Sequence, residues 1–77
     1  MASSGLVPLK DIWRMMDVCA PGYGRKERTH DWLVTYDKKS FPSLPRYQSI
    51  AAGHVKKMVR FFGIMPCAQR EIPRLRN

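Results

Sequence analysis

Arg28-Thr29-His30-Asp31-Trp32-Leu33-Val34-Thr35-Tyr36 is the stretch whose reading decides the fold. From residue 31 to residue 36 β-branched and aromatic side chains dominate, and strict alternation puts Trp32, Val34 and Tyr36 on one face and Asp31, Leu33 and Thr35 on the other. Downstream, Asp37-Lys38-Lys39-Ser40 is a polar turn of hairpin length, and Phe41-Pro42-Ser43-Leu44 returns as a partner strand. Pro42 has no N–H to give a ladder, so this partner belongs at a sheet edge or a bulge. Upstream, Arg25-Lys26-Glu27-Arg28 reads as a brief first strand.

A small sheet with one apolar face needs a cover, and two segments carry a helical pattern. In residues 8–19, Leu9, Ile12, Trp13, Met16 and Cys19 recur at i, i+3, i+4, i+7, with Lys10, Asp11, Arg14 and Asp17 on the other side. Pro8 fits its first turn, where a missing N–H costs nothing. Ala20-Pro21-Gly22-Tyr23-Gly24 stops it. After a loop at Pro45-Arg46-Tyr47-Gln48-Ser49, helical spacing resumes with Ala52, Val55, Val59 and Phe62, flanked by Met58. Gly63 stands where a left-handed cap is wanted, and Ile64 can supply the apolar contact that goes with it.

The sequence therefore predicts an α+β domain of α-β-β-(β)-α order, an antiparallel sheet of two or three strands with both helices on one face. The predicted division is a flexible start at residues 1–7, a domain at residues 8–64, and a basic C-terminal extension at residues 65–77. In the extension Cys67, Ala68, Ile72 and Leu75 exceed what a plain tail needs, and whether it docks is open.

Lys and Arg number 14 against 6 Asp and Glu, a net charge of +8 that attracts polyanions. Nucleic acid is the first partner this suggests. An anionic membrane is disfavoured, since no apolar run approaches about 18 residues and the cations are spread along the chain. A third reading is an interaction protein that docks an acidic partner. Cys19 and Cys67 are too few for a disulfide framework, and the start Met-Ala-Ser-Ser-Gly-Leu-Val-Pro lacks the basic and apolar parts of a secretory signal, so a cytoplasmic protein with reduced thiols is expected. Cys19, Cys67, His30 and His54 have none of the paired spacings of a zinc site, and neither metal nor cofactor is expected.

The candidate phosphate contacts are Lys56, Lys57 and Arg60 on the outer side of the second helix, Lys38 and Lys39 in the hairpin turn, and Arg46 in the following loop. His30 stands at the head of the central strand beside Arg28 and Thr29. An imidazole titrates near neutrality, so it can take the proton of a ribose 2′-hydroxyl while neighbouring cations hold the phosphate. A lone histidine on a short strand is more commonly structural or simply exposed. For His54 an ordinary place in the first turn of the second helix is the plainer reading.

The order of these pieces resembles the HicA (YcfA-like) family of small toxins. The residues that carry the likeness are Thr29-His30 before Asp31-Trp32-Leu33-Val34, then Phe41-Pro42-Ser43-Leu44-Pro45-Arg46, then Ile50-Ala51-Ala52-Gly53-His54-Val55-Lys56-Lys57-Met58-Val59-Arg60 and Phe62-Gly63-Ile64. The likeness spans about residues 8–64. It implies a fold like that of the double-stranded RNA-binding domain, metal-independent cleavage of mRNA by a single histidine, here His30, and neutralisation by a HicB-type antitoxin. The family's Gly-Ser before the histidine is Arg28-Thr29 in this chain, and Tyr47 stands where many relatives carry a histidine. The alternative within the same fold is a double-stranded RNA-binding domain without catalysis.

Overall fold

A computed structural model describes residues 5–76. Strand β1 (Leu6–Pro8) leads into helix α1 (Leu9–Cys19), followed by β2 (Gly24–Glu27), β3 (Asp31–Tyr36), β4 (Lys39–Pro45) and β5 (Ser49–Ala51). Helices α2 (Ala52–Phe62) and α3 (Met65–Glu71) and a 3-10 turn at Pro73–Arg76 complete the chain. The architecture is α+β, with a three-stranded antiparallel sheet in the order β2-β3-β4 and a separate antiparallel pair of β1 with β5.

Strand β3 is central, and its alternation sorts its side chains as the sequence predicts. Trp32 meets Trp13 of α1 edge to face at 5.2 Å, Val34 is fully buried, and Tyr36 meets Phe62 of α2 edge to face at 6.1 Å. Both helices therefore cover one face of the sheet. Strand β4 is an edge strand and also bulged: Trp32 pairs with Leu44 but Val34 pairs with Phe41, so Leu33 faces two residues, Pro42 and Ser43. The extra residue lets Phe41 and Leu44, three apart, turn to the same side, and both are buried. At the far edge Gly24 pairs with Thr35, whose Oγ1 lies 2.8 Å from where a Cβ on residue 24 would stand. A Cβ at residue 24 would force the Thr35 hydroxyl to move aside.

Helix α2 ends as expected. Gly63 has φ +74°, its N–H donates to the Arg60 carbonyl at 3.1 Å, and the Ile64 N–H donates to the Val59 carbonyl at 3.0 Å. This is a Schellman cap, closed by burial of both Ile64 and Val59. In α1 the buried side chains are Ile12, Met15 and Met16, so the helix buries a wider stripe than Leu9, Ile12, Trp13 and Met16 alone.

Several expectations need correction, and one open question is answered. The start predicted to be flexible, residues 1–7, includes Leu6 and Val7, which with Pro8 form β1 against Ser49–Ala51, with Val7 buried; residues 1–4 lie outside the described residues. The turn predicted at residues 37–40 is only Asp37 and Lys38, because Lys39 and Ser40 already pair in β4, and the loop predicted at residues 45–49 is shorter at both ends, because Pro45 still belongs to β4 and Ser49 already to β5. The extension predicted at residues 65–77 docks: Ala68, Ile72 and Leu75 are buried in the same core as the sheet and helices, and the Arg74 guanidinium donates to the Leu6 carbonyl. Finally, Cys19 and Cys67 are not reduced thiols but a disulfide, with Cα atoms 5.6 Å apart across 48 residues of chain. Docking α3 beside the end of α1 is what brings them together, and nothing in the local spacing announces it.

Candidate nucleic-acid interface

Thr29 and His30 form the tip of a two-residue hairpin between β2 and β3, closed by the Arg28 N–H donating to the Asp31 carbonyl at 2.9 Å. Two arginines brace this tip. Arg28 grips the Asp31 carboxylate with Nε at 2.7 Å and Nη2 at 3.0 Å, and also donates to the Pro42 carbonyl at 2.7 Å. Arg46 reaches back from the loop after β4 and donates to the carbonyls of Arg28 at 2.8 Å and Thr29 at 2.9 Å, while its other nitrogen pairs with the Glu27 carboxylate. The hydrogen bond from Arg28 holds the Asp31 carboxyl below its ordinary value, and the same bond raises the Arg28 guanidinium. His30 is exposed, and no side-chain partner engages it among the described residues.

The predicted site residues thus fall into two groups. Arg28, Thr29, His30 and Arg46 gather at one end of the sheet. Lys38 and Lys39 lie at the other, because Asp31 opens β3 and Tyr36, which pairs with Lys39, closes it. Five residue steps of strand separate the two ends by about 17 Å. Helix α2 spans this gap. Near its start, His54 Nε2 lies 2.7 Å from the Ser43 carbonyl and its ring meets Phe41 edge to face at 5.9 Å; near its end, Lys39 Nζ donates to the Phe61 carbonyl at 3.4 Å. His54 is therefore fixed against β4, and no contact joins it to His30.

The cations of the two groups differ in what they have left to offer. Arg28 and Arg46 each make three hydrogen bonds to other groups of the protein, while both side chains stay partly exposed. Among the described residues the ion pairs are Arg14–Asp11, Arg28–Asp31 and Arg46–Glu27, so Lys38, Lys39, Lys56, Lys57 and Arg60 keep their charge unpaired. Trp32, a candidate for base stacking by its residue type, is half-buried under Trp13. Arg25 covers that aromatic pair, 4.4 Å above the Trp13 ring, and burial pushes the adjacent Tyr23 hydroxyl above its ordinary value.

Two exposed aromatic side chains stand out near these groups: Tyr47, 70% exposed beside Arg46, and Phe61, 44% exposed beside Lys39. Phe61 carries a sequence signal of its own. Neighbours on a helix point about 100° apart, so when Phe62 faces the core, Phe61 must lie toward its margin. No helix among the described residues is long and apolar enough to cross a membrane, and no cluster of potential metal ligands occurs among them. No protein-family model, curated protein or solved structure matches this chain.

Proposed function

We propose that this protein is a HicA-type toxin, a metal-independent mRNA endoribonuclease that uses His30 as its single catalytic histidine and is neutralised by a HicB-type antitoxin. The observation that carries this reading is the placement of His30, exposed on a hairpin tip that Arg28 and Arg46 hold rigid through five hydrogen bonds to Asp31, Pro42, Arg28 and Thr29. An imidazole there is open to a large substrate, on a stretch of backbone that the two arginines hold in place. It would remove the proton of a ribose 2′-hydroxyl. The freed oxygen attacks the adjacent phosphorus, and the bond to the 5′-oxygen breaks to leave a cyclic phosphate and a 5′-hydroxyl that takes its proton from water.

The roles expected of Arg28 and Arg46 shift on this reading, from gripping phosphate to holding the tip. Strand binding falls to Lys38, Lys39, Lys56, Lys57 and Arg60, and Thr29 supplies a hydroxyl beside the imidazole. An mRNA substrate implies a cytoplasmic protein, a compartment whose reductants would open the Cys19–Cys67 bond.

One observation favours the non-catalytic alternative. Arg28 and Arg46, the two predicted cations beside His30, are already paired with the Asp31 and Glu27 carboxylates, which leaves them less charge to neutralise a reacting phosphate. The test is RNA cleavage in excess EDTA by the parent chain and His30→Ala across a pH series. Cleavage that disappears with the imidazole is expected; undiminished cleavage by His30→Ala removes His30 from the chemistry. Salt-sensitive binding with no product from either protein would leave an RNA-binding domain.

A further inference from the structure

Phe61 is packed against two aromatic neighbours and still partly open to solvent. Its ring packs on Phe41 at 5.9 Å and Phe62 at 5.3 Å, and Lys39 donates to its backbone carbonyl, yet 44% of the residue is exposed. Lys57 precedes it by one helical turn on the same line of α2, and Arg60 is its neighbour. Lys39 Nζ lies 6.0 Å from the ring centroid, and Lys38 precedes it in the hairpin turn. None of these four cations is paired with an acid among the described residues.

A single exposed aromatic is ordinary on a protein surface. A rigid one framed by four unpaired cations has the two parts of a single-strand site: a π-face on which a base can stack, and positive charge to hold the phosphates on either side. A continuous duplex buries its base faces and cannot use the ring. We propose that Phe61 is a stacking platform for one unpaired base of a single-stranded RNA, with Lys57 and Arg60 holding the phosphates on one side of that base and Lys38 and Lys39 those on the other. This rests on RNA being the ligand, and it adds a substrate form and an anchoring residue about 17 Å along the sheet from the hairpin tip that carries His30.

The experiment uses the full chain carrying His30→Ala, so that the probe survives, and a short single-stranded RNA with 2-aminopurine at successive positions. Bound 2-aminopurine is quenched at one position by stacking on Phe61. Phe61→Leu keeps an apolar side chain on Phe41 and Phe62 but lacks a π-face; it is expected to abolish the quench and weaken binding roughly ten-fold. Phe61→Trp restores both, and a blunt duplex of equal length binds with no dependence on residue 61. Thermal melts show whether each variant is folded. Equal affinity and equal quench for the parent and a folded Phe61→Leu overturn the platform, as does failure of the parent to bind single-stranded RNA at low salt. Cleavage by the native chain is scored separately: cleavage through His30 without dependence on Phe61 retains the ribonuclease and removes the platform, and stacking without cleavage does the reverse.

Discussion

Lys38 occupies a backbone position that its side chain does not favour. Asp37 and Lys38 are the two central residues of the β3–β4 hairpin, with φ of +52° and +67°. Positive φ at both positions is the requirement of a type I′ turn, for which Asp-Gly is among the preferred pairs. Asp at the first position fits; Lys at the second adopts a conformation that costs a residue with a Cβ about 1 kcal/mol. Lys38→Gly is therefore expected to stabilise the protein by about 1 kcal/mol, read as a higher urea midpoint at unchanged slope. The same variant should lower RNA affinity if Lys38 holds phosphate. A stabilised protein with unchanged RNA affinity would take Lys38 out of the proposed interface.

At the scale of elements, the cap of α2 is where sequence and structure agree most closely. Gly63 is at φ +74° with open space where a Cβ would go, so Gly63→Ala meets no clash and pays only for the left-handed backbone. A loss of about 1–2 kcal/mol is expected, measured by thermal or urea unfolding. A neutral result would mean that the helix end rearranges. The cap was legible because Gly-Ile after a periodic segment is a local signal, and the same holds for α1, β3 and the edge or bulge imposed by Pro42. The Leu6–Pro8 and Ser49–Ala51 pair was not legible: each strand has three residues, too few for alternation to show, and they pair across most of the chain. The site divides in the same way. His30 at the head of the strand could be read from order alone. The hydrogen bonds of Arg28 and Arg46 depend on Glu27, Asp31 and Pro42 coming together in space, which no local spacing of these residues announces.

For the whole molecule, the least local feature is the seal between its two ends. Strand β1, the end of α1, and the segment from α3 to the 3-10 turn pack together through Val7, Ala68, Ile72 and Leu75, through Arg74 on the Leu6 carbonyl, and through Cys19–Cys67. A bond that closes a loop of 48 residues restricts the unfolded chain by about 4 kcal/mol in the loop-entropy account. In a domain of 77 residues that is a large share of total stability. The buried side chains of the tail still favour the docked form when the bond is open, so the reduced protein should fold, with less margin. Dithiothreitol, or Cys19→Ser with Cys67→Ser, is expected to lower Tm by roughly 15–30 °C. If the Tm values with and without the bond coincide, the seal rests on packing alone, and the cytoplasmic function proposed for the protein does not depend on the redox state of these two cysteines.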